Sequence, residues 1–183
     1  MKTILLFVPI LVFLISFDTT AQVRKIDSDK NGTSVTYRLE HPLHKIEATS
    51  KDAQFHAEVD TSSKTIKSVI AEVDVMTFDS GNSNRDSHAM EVIDAITYPD
   101  VTFSGTKIEA QGDSLSVTGM LTFHGVTKEI VANVVQKWLP DGLDVEGGFD
   151  VSLTSFNIDR PSLLMIPVSD TLRFSLKATF EFK

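Results

Sequence analysis

The chain has 183 residues, 42% of them hydrophobic, with 17 Lys and Arg against 25 Asp and Glu for a formal net charge of -8. That length suits one domain with at most a processed segment beside it, and the apolar content is too high for a disordered chain. The acidic balance, with no dense Lys/Arg run, argues against nucleic-acid binding by charge, and the absence of Cys excludes disulfides, thiolate metal sites and Cys nucleophiles.

The first element is not part of the fold. After Lys2, residues 4–17 are apolar except for Pro9 and Ser16. As a helix this stretch would span roughly 21 Å, short of the ~30 Å hydrocarbon core of a bilayer. It leads into Thr19-Thr20-Ala21-Gln22, small residues of the kind a signal peptidase reads. Residues 1–21 therefore read as a signal peptide cleaved after Ala21, and residues 22–183 as a single domain. The expected location is the periplasm or the extracellular space, with no membrane anchor left after processing.

Period-two alternation dominates the rest of the chain. Val35, Tyr37 and Leu39 form the first apolar face, and Phe55, Ala57 and Val59 the second. Less regular strands run over 66–75, 101–110, 128–138 and 143–153. Leu115, Val117, Gly119, Leu121 and Phe123 make a further clean face. The last strand is the clearest: Leu172, Phe174, Leu176, Ala178, Phe180 and Phe182 alternate with Arg173, Ser175, Lys177, Thr179 and Glu181. Asn31-Gly32, Gly112-Asp113, His124-Gly125 and Pro140-Asp141-Gly142 supply turns. Two stretches depart from the pattern. Residues 83–94 place Ala89, Met90, Val92 and Ile93 at helical spacing, with Asn82, Ser83 or Asn84 as N-cap. Residues 159–170 read as a loop or short helical turn with the apolar tip Leu163 to Ile166. About eight long amphipathic antiparallel strands mean a sandwich or a barrel. Closure removes edges that long apolar-faced strands would expose, which favours an eight-stranded all-β barrel, able to hold one small ligand.

Residues with chemical potential are few. His41-Pro42-Leu43-His44 is the one close histidine pair, and it reads as solvated turn histidines rather than a metal site, which needs three or four converging ligands. Arg85-Asp86-Ser87-His88 could orient a base beside Ser87. The structural reading is favoured, with Arg85 and Asp86 hydrogen-bonded to pin the helix and His88 donating to a backbone carbonyl. There is no Gly-x-Ser-x-Gly elbow, phosphate cradle or His-Glu-x-x-His. No catalytic residue, metal or cofactor is assigned. Asn31-Gly32-Thr33 fits a glycosylation sequon but reads more strongly as a turn, and Trp138 as a core or rim aromatic. The unusual feature is 12 Phe against 2 Tyr and 1 Trp. Phe78, Phe103, Phe149 and Phe156 stand outside the clean alternation. From the residues alone, a packed core with a covering loop is favoured over an apolar pocket with a lid.

Three motifs change that balance. Arg85-Asp86-Ser87-His88-Ala89-Met90 with Tyr98-Pro99-Asp100-Val101-Thr102-Phe103 resembles a signature of the YceI-like family. So do the segment from Gly119 to Lys128 and the segment from Phe149 to Ile158 leading to Val168-Ser169-Asp170. The resemblance covers essentially the whole of residues 22–183. It implies a lipocalin-like eight-stranded barrel that binds polyisoprenoids or other long-chain amphiphiles in an internal apolar pore, with no established catalytic residues. A homodimer is compatible with the resemblance alone. Two departures stand out: Val92 and Ile93 occupy positions where many relatives carry aromatics, and Asn157 stands where Gly is common. On the resemblance, transport, storage or sequestration of a lipophile is the expected function. The two alternatives are an envelope enzyme using Arg85, Asp86 and His88, and a packed-core barrel with no guest. Phe55, Phe103, Leu121, Phe149, Phe156, Leu172, Phe174 and Leu176 are the expected interior residues, and Leu163, Leu164 and Met165 the expected flap over one end. Phe103 is the least secure, because Gly105 can mark a bulge that reverses the alternation.

Overall fold

The computed structural model describes residues 23–182; the expected signal peptide lies outside them. Ten strands form one antiparallel sheet: β1 Val23–Asp27, β2 Ser34–His41, β3 His44–Ser50, β4 Gln54–Asp60, β5 Thr65–Asp74, β6 Asp100–Gln111, β7 Ser114–Phe123, β8 Val126–Leu139, β9 Gly142–Ser152 and β12 Thr171–Glu181. A helix, α1, spans Ser83–Val92, and two short strands, β10 Ser162–Leu163 and β11 Ile166–Pro167, pair as a separate hairpin. The sheet order is β1-β4-β5-β6-β7-β8-β9-β12-β2-β3. The sheet curls strongly into a lipocalin-like half-barrel. Where it meets itself, Ser28 bridges to Phe180 and Thr49 to Asp79.

The expected eight strands thus become ten. The two additions, β1 and β3, carry little apolar alternation: Val-Arg-Lys-Ile-Asp and His-Lys-Ile-Glu-Ala-Thr-Ser. Their extended state comes from pairing with β4 and β2, where Ile26 faces Ala57 and Ile46 faces Leu39. Asn82 is the N-cap of α1, its side chain accepting from the Arg85 amide at 3.1 Å. The 159–170 segment is no helical turn; it carries the β10–β11 hairpin, whose two tip residues, Leu164 and Met165, have φ of 54° and 64°.

Bulges steer the inward faces. The β6–β7 register shifts between Gly105 and Lys107, and the β4–β5 register between Glu58 and Val59. Val101 and Phe103 therefore face inward before the first bulge and Ile108 after it, with the parity reversed. The β7–β8 turn is His124-Gly125 with φ of 49° and 69°, a primed two-residue hairpin whose twist suits the flanking strands. The connections β2–β3, β5–β6, β7–β8 and β9–β12 all fall on one rim of the sheet, together with α1. The connections β4–β5, β6–β7 and β8–β9 fall on the other.

Candidate functional site: an apolar cavity beneath a short helix

The curled sheet wraps around a partly open cavity of about 230 Å³. Nearly every strand contributes inward apolar residues, as the alternation dictates: Val35 and Leu39 from β2, Phe55 and Ala57 from β4, Val117 and Leu121 from β7, Ala132 and Val134 from β8, and Phe174 and Leu176 from β12. Ala89, Met90, Val92 and Ile93 of α1 and the following turn cover one end. Of the lining side chains only Tyr37, Glu72, Arg85 and His88 bear oxygen or nitrogen. Arg85 and His88 belong to α1, Glu72 lies near the end of β5 that leads to it, and Tyr37 feels the charges of Arg85 and Asp86. The polar atoms are thus gathered at the helix end, and the remainder of the wall is hydrocarbon.

Seven expected interior residues meet at this cavity: Phe55, Phe103, Leu121, Phe149, Leu172, Phe174 and Leu176. Phe149 stacks on Phe174 with ring centroids 5.0 Å apart. Phe103 lies across Gly119, where any Cβ would collide with its ring. Phe156 does not line the cavity. It is only 1% exposed and packs against Phe123 at 5.7 Å, filling the wall behind it. The three expected flap residues, Leu163, Leu164 and Met165, also stand away from the cavity, because the primed turn points the hairpin tip into solvent; Pro161 is the residue of that segment that reaches the lining. The alternation alone did not single out the inward residues of β5, where Ile66, Val69, Ala71 and Val73 change parity at the bulge; Tyr37, on the apolar face of β2, also lines the wall.

The Arg85 to His88 motif is mostly spent on its own neighbourhood. Arg85 donates from Nε to Ser80 Oγ at 2.8 Å and from Nη2 to the Ser80 carbonyl at 2.7 Å. Asp86 accepts from the Ser80 amide at 3.2 Å and from its hydroxyl. The pair pins the loop that precedes the helix, next to Asp79, which bridges to Thr49 of β3. His88, expected to donate to a backbone carbonyl, instead lies 3.8 Å from Glu91 with its side chain 66% exposed, one helical turn along. Tyr37 is packed on Phe78 at 5.4 Å. Burial raises its phenol pKa above the ordinary value, the Asp86 charge raises it further, and Arg85 opposes both. The ring therefore enters the cavity wall uncharged.

The histidines have structural roles the sequence hid. His41 is buried, not solvated. Its Nδ1 accepts from the Leu43 amide at 3.2 Å, which leaves Nε2 to donate to the Ile166 carbonyl at 3.0 Å. His124 hydrogen-bonds the Phe156 carbonyl through Nδ1 at 3.0 Å and meets Tyr98 edge-on at 4.7 Å. The three sequence motifs therefore converge on one knot that ties the β5–β6, β7–β8 and β9–β12 connections together. Asn157 closes the 3-10 turn over Thr154–Phe156 at φ 58°, a left-handed position that Asn tolerates. Among the described residues no group of three or more His, Asp or Glu converges as a metal site.

A curled antiparallel sheet around one apolar cavity, with a short helix over an end, defines a lipocalin-like class of fold. Residues 26–180 match the YceI-like domain, and the chain belongs to that family. Protein YceI of Salmonella newport is 28% identical over 127 residues, which is 68% of this chain and 65% of that relative. Burkholderia cenocepacia BcnA superposes with a TM-score of 0.75 at 21% identity, over 83% of this chain and 98% of BcnA. A polyisoprenoid-binding domain from Saccharophagus degradans, implicated in plant cell wall breakdown, superposes with a TM-score of 0.62 at 11% identity, over 90% of this chain and all of that domain. The YceI protein of Campylobacter jejuni gives 0.62 at 18% identity, with essentially complete coverage of both chains.

Proposed function

We propose that this protein binds the tail of a long-chain lipophile, a polyisoprenoid or similar amphiphile, in the cavity and holds or carries it through an aqueous compartment without reacting on it. The observation that carries this reading is the cavity itself. The interior leaves about 230 Å³ unfilled, and its wall is hydrocarbon except at the α1 end. A dry apolar cavity of about 150 Å³ already binds benzene. A hydrocarbon guest gains roughly 25 cal/mol for each Å² it removes from water, with no polar contact needed. The polar atoms of Tyr37, Glu72, Arg85 and His88 suit a headgroup at the α1 end with the tail directed away from it. The polyisoprenoid-binding domain of Saccharophagus degradans, a neighbour in fold, supports the same guest class.

Binding is favoured over catalysis because Arg85 and Asp86 both hydrogen-bond Ser80, so neither orients a base beside Ser87. It is favoured over a filled barrel because the interior is not filled. The compartment follows from residues 1–21, read as an export signal; the mass of exported protein should correspond to a chain beginning at Gln22. The test of the function is solvent extraction of purified protein with mass spectrometry of the extract, paired with an Ala132→Phe variant. Ala132 lines the cavity, and a phenyl group there occupies guest space without disturbing the outer surface. A folded Ala132→Phe protein should bind a long-chain isoprenol at least about tenfold more weakly than the parent. Equal binding by the two proteins would place the guest elsewhere.

A further inference from the structure

We infer that the α1 rim is a bilayer-docking edge: the β10–β11 hairpin tip enters the interfacial region of a phospholipid membrane and sets the cavity against it for guest exchange. The two rims differ sharply. The far rim is turned by Thr61-Ser62-Ser63-Lys64, Gly112-Asp113 and Pro140-Asp141, polar or turn-forming residues, with Val23 beside Asp60 as its exposed large apolar side chain. The α1 rim carries Leu43, Met76, Ile96, Leu163, Leu164 and Met165, all exposed, with Met165 at 92% and Ile96 at 93%.

The hairpin tip is the strongest of these. Leu164 and Met165 both hold positive φ, a conformation disfavoured for residues other than Gly, Asn and Asp. A primed two-residue turn is best made by Asn-Gly. Here two large apolar side chains take that place, so the tip bears a conformational cost and a solvation cost together. Neither is offset inside the molecule, since Leu164 is 76% exposed and both residues lie outside the cavity lining. The tip is also held firmly. His41 joins it to the β2–β3 turn by bonding the Ile166 carbonyl and the Leu43 amide, and Arg160 donates from Nε to the Val168 carbonyl at 2.8 Å. A rigid, outward-pointing apolar wedge results.

The occupant that fits is a lipid interface. Leu43 stands on the β2–β3 turn, Met76 and Ile96 on the β5–β6 connection, and Leu163 to Met165 on the hairpin, so the apolar side chains are spread over three connections around a rim rather than gathered in one flat patch, and a deformable phase can receive them together, as it does other interfacial anchors. The formal net charge of -8 gives no attraction to anionic headgroups, so docking rests on the apolar tips and operates on zwitterionic lipid. Pro161, three residues from Leu164, already lines the cavity, so insertion of the tip sets the cavity end against the bilayer. The guest in this scheme rests on the binding function proposed above; the docking edge does not.

The test uses purified protein whose mass shows that residues 4–17 are gone, with phosphatidylcholine vesicles. The protein should float with the vesicles, and transfer of a fluorescent long-chain isoprenol from loaded vesicles should accelerate in proportion to vesicle concentration. Leu164→Asn combined with Met165→Gly supplies the turn with its preferred residues, so the melting temperature should hold or rise while flotation and transfer fall about tenfold or more. Val131→Ser with Val135→Ser, two exposed valines on the outer face of β8, should change neither. Undiminished flotation of the Leu164→Asn/Met165→Gly protein overturns the proposal. So does a wild-type protein that ignores vesicles yet binds isoprenol in detergent solution, or a tip variant whose only change is loss of a dimer. Flotation without any guest would sink the binding function and leave the docking edge standing.

Discussion

Asp170 accepts the Ser152 hydroxyl at 2.6 Å and the Thr154 amide at 3.0 Å, and these bonds, Ser152 foremost, hold its carboxyl below the ordinary aspartate range. A carboxylate so depressed stabilises the fold fully above about pH 3.9, the unfolded value, and that contribution disappears as pH falls through the lower folded value. Calorimetry should therefore show Asp170→Asn with a shallower fall in melting temperature below about pH 4 than the parent. Asp86 is a different case, since it shares Ser80 with Arg85 and lies in the first turn of α1, where negative charge is favoured. Asp86→Ala leaves the Ser80 amide without its acceptor and should destabilise by about 1–2 kcal/mol, roughly 2–8 °C in melting temperature for a domain of this size. Isoprenol affinity per folded molecule should change less than about threefold. Lost binding at an unchanged melting temperature would place Asp86 in the site instead.

At the scale of elements, β6 and β7 show how one small residue sets the shape of a cavity. Phe103 reaches inward because it precedes the bulge near Gly105 and because Gly119, the partner of Gly105 and diagonal to Phe103 on β7, leaves room beneath its ring. Gly119→Ala sets a Cβ against both that ring and the Ser104 carbonyl oxygen, so ring and backbone must both shift. The expected result is a loss of about 1–3 kcal/mol by overpacking together with several-fold weaker binding of long guests, read by thermal melts and isoprenol titration. Shorter guests should be less affected than long ones. The long strands β7 and β12 were legible from alternation because one face is buried and the other solvated. β1 and β3 were not, because Arg24, Lys25, Lys45 and Glu47 obscure the period and pairing with a neighbour makes them strands.

For the molecule as a whole, the cavity links stability to occupancy. A guest that binds only the folded protein stabilises it by about 2.7 kcal/mol at a hundred times its Kd. Protein stripped of lipid by a solvent-exchange column should melt several degrees lower than protein as purified, and adding a long-chain isoprenol should restore the difference. A melting temperature indifferent to stripping and reloading would count against a resident hydrocarbon guest.

What the chain determined on its own was the inward set. Period-two patterning over β2, β4, β7 and β12 assigns their faces with no knowledge of neighbours, because a strand's side chains alternate whatever it pairs with. The cavity residues of those four strands come from that, while the others lie on the less regular strands, α1 and the connections. Whether those inward residues meet in the middle or stand around a space depends on the curvature of the sheet and the parity changes at its bulges, and these arise only when ten strands close on one another. The same holds for Phe156 and the Leu164 tip. Both are apolar residues of one connection, yet the turn over Thr154–Phe156 tucks one behind the wall, while the primed turn of the β10–β11 hairpin sends the other into solvent. Composition could register that these residues are apolar; the side of the wall each occupies is a matter of backbone geometry set by contacts distant in sequence, from His124 to Phe156 and from His41 to Ile166.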